Sequence, residues 1–158
     1  VTSVAARVAR LTDSDWRVFA GVRLRALSDS LGEDDPQFRQ ESAFTATQWR
    51  RRLREHAQFA VLIGDRPVGL IGAQLESADT VYLYSLWLDP AVRGQGLARP
   101  LVATAVEWAR DRRARTVTLR VAHDNAVARG VYEGLGFTLQ NGENPCDRGE
   151  VAMSLSVS

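Results

Sequence analysis

Between an apolar run that closes at Leu86-Trp87-Leu88 and a helical repeat of Leu101, Val102, Ala105, Val106 and Ala109 stands the segment Arg93-Gly94-Gln95-Gly96-Leu97-Ala98-Arg99. Asp89-Pro90 stops the run, and Pro100 suits the first turn of a helix, where a proline is tolerated. Gly94 and Gly96 leave the main chain bare where the helix begins, so several N–H groups and the positive end of the helix dipole face one site. Phosphate oxygens suit such a turn. A charge-assisted N–H contact is worth about 1.5–3 kcal/mol, so a few of them hold a pyrophosphate. Arg93 and Arg99 flank the turn and add charge. A second constellation, Asn125-Ala126-Val127-Ala128-Arg129-Gly130-Val131-Tyr132-Glu133-Gly134-Leu135-Gly136-Phe137, follows after about one helix and one strand.

The elements that position these residues are legible from periodicity. Residues 4–11 alternate as a first strand, and Thr12 or Asp13 caps a helix to about Ser28 with Trp16, Phe19, Ala20, Leu24 and Leu27 on its apolar side. Residues 28–36 read as an acidic, proline-broken loop. Thr45 and Gln48 form a capping box for a second helix carrying Trp49, Leu53 and a basic face of Arg50, Arg51, Arg52 and Arg54, read as solvated. Gln58–Ile63 and Pro67–Glu76 pair as a hairpin through Gly64-Asp65-Arg66, and Thr80–Leu88 is the next strand. The helix after the glycine turn ends near Arg112-Arg113. Arg115–Val121 alternates as a strand parallel to 80–88, because a helix connects the two. Asp124 or Asn125 caps a further helix, Gly134 or Gly136 ends it, and Phe137 opens another strand. Residues 141–149 form a polar loop and Glu150–Val157 the last strand. The order predicts one α/β domain over 1–158 with a sheet of mixed direction.

The chain has 158 residues, 45% hydrophobic and 25% charged, with a formal net charge of +1. That balance calls for neither nucleic acid nor a membrane surface. All basic residues are arginine, so the protein has no lysine of its own to modify. One cysteine, Cys146, excludes an internal disulfide and has no basic neighbour to activate it. His56 suits a helix C-terminus, and His123 stands just before the Asn125 cap. Neither has metal-ligand spacing, and no metal is expected. The absence of an apolar leader favours the cytoplasm.

Arg93, Gly96 and Ala98 in an Arg-x-x-Gly-x-Ala pattern, with Asn125, Ala128, Tyr132, Leu135, Gly136 and Phe137, resemble the two signatures of the GNAT N-acetyltransferase superfamily. Residues 23–54, with Arg-x-x-Ala-Leu and Trp-Arg-Arg-Arg-Leu helices, resemble its short bacterial members. The resemblance implies an acyl-CoA N-acyltransferase fold: a six- to seven-stranded mixed sheet with splayed central parallel strands and about four helices. It implies acetyl-CoA as co-substrate, its pantetheine arm lying between the 80–88 and 115–121 strands against Leu86, Trp87 and Leu88. Gly94, Gln95, Gly96, Leu97, Ala98 and the flanking arginines would take the pyrophosphate, and Asn125 would reach the pantetheine. Tyr132 stands where the family places a proton donor for the departing thiolate.

The acceptor implied is a primary amine of a small molecule or protein, attacking directly without a covalent acyl-enzyme. An alkylamine of pKa about 10.4 is mostly protonated at neutral pH, a handicap near 4 kcal/mol. Positions where relatives carry a glutamate base hold Tyr82 and Arg120 here. Glu76, Tyr82 and Tyr84, through water, are the candidates nearest the cleft, while Glu33, Asp34 and Asp35 in the loop after the first helix are candidates to bind a cationic acceptor. Two other classes are open: a non-catalytic acyl-CoA-binding module, and, less favoured by the net charge, a nucleic-acid binder using the Arg50–Arg54 face. By analogy with relatives, a homodimer would pair through the 141–149 loop and last strand.

Overall fold

A computed structural model describes residues 5–140 and 149–158. The elements in chain order are β1 (Ala6–Leu11), α1 (Trp16–Leu31), α2 (Pro36–Ser42), α3 (Ala46–Glu55), β2 (Ala57–Ile63), β3 (Arg66–Leu75) and β4 (Thr80–Leu88). There follow α4 (Ala98–Asp111), β5 (Thr116–Ala122), α5 (Ala126–Gly134), β6 (Thr138–Leu139) and β7 (Glu150–Ser156). The strands form one sheet in the order β1-β2-β3-β4-β5-β7-β6. β4 and β5 run parallel across the α4 crossover, and the other neighbours are antiparallel.

The sheet is covered on both faces. Phe59 and Val61 of β2 point to the cluster that includes Leu101, Val102 and Ala105 of α4. Ala60 and Leu62 point the other way, to Phe19, Val22, Trp49 and Leu53 of α1 and α3. This period-two alternation with both sides buried explains why β2 is apolar at nearly every position. Each fully buried side chain of that size contributes about 1.5–3 kcal/mol.

Two expectations are corrected. α1 runs beyond Ser28 to Leu31, and the residues after Pro36 form a helix that brings the number of α-helices to five among the described residues. Asp35 accepts a hydrogen bond from the Gln37 main chain at 2.8 Å and Pro36 occupies the first turn, so the proline that ended one element starts the next. The expected 141–149 loop, Cys146 and much of the suggested dimer surface fall on 141–148, outside the described residues.

β4 carries a bulge. Gly72 pairs with Tyr84 and Leu70 with Trp87, so three steps on β4 answer two on β3. Ser85 absorbs the extra residue with φ 58°, a left-handed conformation unusual for a side chain larger than glycine's. The phase of the strand flips there. Val81 and Leu83 pack toward α4, whereas Trp87 packs toward α1.

Candidate active site

Parallel pairing between β4 and β5 runs from Thr80 opposite Thr116 to Tyr82 opposite Thr118 and stops. Past that point the strands diverge around a cleft of about 250 Å3, with Leu86, Val121, Asn125 and Tyr132 among its walls. The bulge presents Leu86 to this gap. Asn125 accepts a hydrogen bond from Ala128 N at 3.1 Å, so it both caps α5 and faces the cleft. Tyr132 is 6% exposed and packs edge-on against Phe137, with ring centroids 5.9 Å apart. Burial pushes its hydroxyl pKa up to about 12.

The glycine turn lies between β4 and α4. Gly94 and Gly96 have φ of 80° and 78°, the region that favours glycine. Loop hydrogen bonding ends with Arg93 N donating to Pro90 O, and among the described residues no acceptor faces the main-chain N–H groups of Gly94, Gln95, Gly96, Leu97, Ala98 and Arg99. Leu97 caps α4 without a side-chain acceptor, leaving the helix dipole uncompensated.

The arginines are used differently from the expectation that both add charge to the turn. Arg93 folds back along the surface, donating to Asp29 Oδ2 at 2.7 Å and Leu88 O at 3.0 Å. Arg99 donates to Gly134 O at 3.3 Å, at the negative end of α5. Trp87 Nε1 also donates to Asp29, at 2.9 Å, so this side chain points away from the cleft. The Trp87 and Arg93 hydrogen bonds hold the Asp29 carboxyl below its ordinary value. The expected cofactor residues thus divide. Leu86, Asn125 and Tyr132 line the cleft, Gly94 to Arg99 offer main-chain donors, and the Arg93 and Trp87 side chains brace the loop from behind.

Of the residues expected to meet an acceptor, Glu76 and Tyr82 line, with Arg120, a wider cleft of about 560 Å3. Glu76 Oε2 accepts from Thr118 at 3.3 Å, and the Tyr82 and Tyr84 rings stack 6.2 Å apart. Burial raises both tyrosine pKa values. Glu33 and Asp34 are not brought to either cleft. Glu33 borders a surface hollow with Asp29 and Asp89, and Asp34 is exposed beside Arg39 at 3.6 Å. Asp35 is engaged as the α2 cap.

Gly72 fixes Tyr84 in place. A Cβ built on Gly72 would stand 2.5 Å from Tyr84 Cζ, because the ring lies across the glycine. Gly72→Ala is therefore expected to lift the ring and lower stability by about 1–3 kcal/mol, read from urea unfolding; unchanged stability would mean that the ring moves freely.

A buried carboxylate, not anticipated from the sequence, ties three helices to the bulge. Glu41 of α2 is 2% exposed. It accepts from Arg23 of α1 at 3.0 and 3.2 Å, from Arg52 of α3 at 2.6 Å and from Gln37 at 3.0 Å. Arg23 also donates to Ser85 Oγ at 3.2 Å. Arg52, read as part of a solvated basic face, instead turns inward. The two helical motifs in residues 23–54 supplied the signal: Ala26, Leu27, Trp49 and Leu53 are core, and the two arginines grip Glu41.

Residues 24–137 match the model of the acetyltransferase (GNAT) family. The chain belongs to that family. Over 126 residues it is 32% identical to the mycothiol acetyltransferase of Catenulispora acidiphila, covering 74% of this chain and 34% of that protein. The chain spans less than half the length of this and other curated relatives it matches. Its fold is similar to that of the paia N-acetyltransferase of Thermoplasma acidophilum, solved in complex with coenzyme A. The TM-score is 0.74 with 13% identity, over 97% of this chain and 99% of that one. The ribosomal-protein-alanine N-acetyltransferase of Brucella melitensis superposes with a TM-score of 0.69 and 17% identity, over 96% and 99% of the two chains. The GNAT fold accounts for the mixed seven-stranded sheet and for the divergence of β4 and β5. Among the described residues no three His, Cys, Asp or Glu side chains gather as a metal ion would need, and no helix is long and apolar enough to cross a membrane.

Proposed function

We propose that this GNAT protein transfers the acetyl group of acetyl-CoA to a primary amine by direct attack in a ternary complex. One observation carries the reading: consecutive main-chain N–H groups without acceptors, at Gly94 to Arg99, follow the strand that lines a cleft whose wall carries the buried Tyr132, and Arg99 reaches Gly134 at the end of the same helix as Tyr132. A pyrophosphate fits these donors and a slender thioester arm the cleft. When bound, acetyl-CoA supplies an acyl group already activated as a thioester. The Leu86 main chain borders the gap and polarises the carbonyl there, Asn125 orients the arm, and Tyr132 donates to the departing sulfur.

The amine enters from the side of Tyr82, Tyr84 and Arg120. The names of the similar proteins mention mycothiol and the alanine of a ribosomal protein, so a small molecule and a protein terminus both belong in the test. Calorimetric titration of acetyl-CoA is expected to show binding that Gly94→Ala/Gly96→Ala weakens by about 10²–10⁴-fold, as two or more N–H contacts are lost. Binding unaffected by the double substitution would place the cofactor elsewhere. Thiol release is then followed with an alanine-terminated peptide and with spermidine. Binding without release from any amine would make the protein an acyl-CoA-binding module.

A further inference from the structure

Past Tyr82 and Thr118, the last pair that β4 and β5 make, the next residue of β5 on the same face is Arg120. Alternation sends Val117, Leu119 and Val121 into the core and leaves Thr118, Arg120 and Ala122 on the opposite face. The residue across from Arg120 on β7 is Ala152, too small to cover it, and no β4 residue pairs with it. Its side chain therefore stands exposed where the sheet opens. It borders both the cleft of Leu86, Asn125 and Tyr132 and the wider one of Glu76 and Tyr82. Among the described residues it is the one cation on either wall.

The arginines that reach the β4 bulge or flank the glycine turn are committed elsewhere. Arg23 and Arg52 grip Glu41, Arg93 holds Asp29 and Arg99 reaches Gly134. Arg120 forms no ion pair among the described residues. Of the two acids on the same walls, Glu76 accepts from Thr118 at 3.3 Å and Glu150 stands opposite Ala122. All three charges are felt at Tyr82: burial raises its pKa, Arg120 lowers it, and Glu150 and Glu76 raise it. Tyr84 is turned away, its ring across Gly72 and its hydroxyl 2.8 Å from Gln58 Nε2 and 2.7 Å from His56 Nδ1 on the β2 side. An arginine keeps its proton, so Arg120 cannot relieve an ammonium of one. What it offers is a planar fork of donors that matches a carboxylate.

We propose that Arg120 holds a carboxylate of the acceptor, so that the amine acetylated here belongs to a molecule carrying both charges, an amino acid or a peptide end with an acidic side chain beside its amine. This rests on the transferase reading above. Glu150, on the wall it shares with Leu86 and Tyr132, favours the ammonium end while Arg120 takes the anionic one. A polyamine with no carboxylate brings only like charge to the guanidinium and is a poor acceptor.

Binding decides the matter without turnover. In nitrogen–proton NMR of arginine-labelled protein saturated with coenzyme A, the Arg120 Nε–H signal is assigned with Arg120→Gln. It is expected to shift saturably with L-alanine, β-alanine or 4-aminobutyrate where the carboxylate comes from a free amino acid, and with the dipeptide amide Ala-Asp where it comes from a peptide end. The amides of the three amino acids, and the dipeptide amide Ala-Asn, should leave it in place. A signal unmoved by every carboxylate probe, or moved as far by the amides, overturns the proposal. In thiol release, the carboxylate probe that binds should exceed its neutral counterpart in kcat/KM by a ratio that Arg120→Gln lowers about 10-fold or more and Arg120→Glu reverses. Comparing the ratio between proteins cancels the different amine pKa values of the two probes. An equal ratio in wild type and Arg120→Gln overturns the proposal, as does a loss of acetyl-CoA affinity in that variant, which would give the arginine to the cofactor. Thermal unfolding of Arg120→Gln is expected to match the wild type; a fall in Tm of about 5 °C or more would make the arginine a structural brace and overturn it too. Failure of the wild type to bind acetyl-CoA would instead remove the transferase reading itself.

Discussion

Glu41→Ala is expected to lower folding stability by about 3–5 kcal/mol, the cost of leaving buried charges without their partner. The carboxylate sits 2% exposed between two guanidinium groups. Arg23 is itself largely enclosed, its side chain 14% exposed, so neither water nor another described acid takes over when the carboxylate is deleted. The same logic gives no measurable effect for Asp34→Ala, because the Arg39–Asp34 pair is exposed and loosely spaced at 3.6 Å. In a chain of this size the loss corresponds to a fall in Tm of roughly 6–20 °C. Guanidinium unfolding at neutral pH checks it, and a loss under 1 kcal/mol would show that the ion cluster is incidental to stability.

The sign of the pH dependence follows from the same geometry. Burial pushes the Glu41 carboxyl up, but hydrogen bonds from Arg23, Gln37 and Arg52 outweigh it and hold the group below its ordinary value of 4.5. A folded-state value below the unfolded one stabilises the protein fully above the unfolded value and is lost as pH falls through the folded one. The gap between wild type and Glu41→Ala should therefore narrow in acid and stay constant through neutral pH. There is a functional consequence too. Arg23 spans from Glu41 to Ser85 Oγ, so the cluster supports the left-handed bulge that turns Leu86 toward the cleft.

Strand and helix order was legible because burial imposes periods of two and 3.6 on the sequence, and those survive without any knowledge of contacts. α2 was hidden because Asp35-Pro36 is at once a loop signal and a helix start, and a seven-residue helix has little room to display a period. Arg52 differs from Arg50, Arg51 and Arg54 only in its direction around α3, which no residue type records. The bulge at Ser85 lacks the glycine that would have announced a positive φ. The His56–Tyr84 contact joins residues from separate elements across three strands, so it depends on a register that only the folded sheet defines. The glycine turn, Asn125 and Tyr132 were legible for the opposite reason, since local backbone needs and a family signature fix them within short stretches.

Tyr132→Phe is expected to reduce turnover by about 10²–10³-fold while leaving acetyl-CoA affinity within about twofold, since the hydroxyl is asked to act only as sulfur departs. A tyrosine at pKa about 10 facing a thiol near 8.5 already transfers its proton uphill by roughly 2 kcal/mol. With the Tyr132 pKa pushed up to about 12 by burial, full transfer to a solvated thiolate is steeper still. The same dry wall raises the proton affinity of a thiolate formed beside it, so the two effects offset in part and the hydroxyl works best as a strong hydrogen-bond donor to the developing charge. The sign for folding is fixed as well: a raised tyrosine pKa leaves its stabilisation intact below the unfolded value near 10 and removes it as pH climbs toward 12. Thiol release and calorimetry on the two proteins separate the outcomes. Equal kcat would take Tyr132 out of the chemistry and leave it a core aromatic against Phe137, a parallel loss of acetyl-CoA affinity would make it a binding group, and a basic limb near pH 9 that vanishes in the phenylalanine variant would contradict the buried, neutral phenol on which the donor role rests.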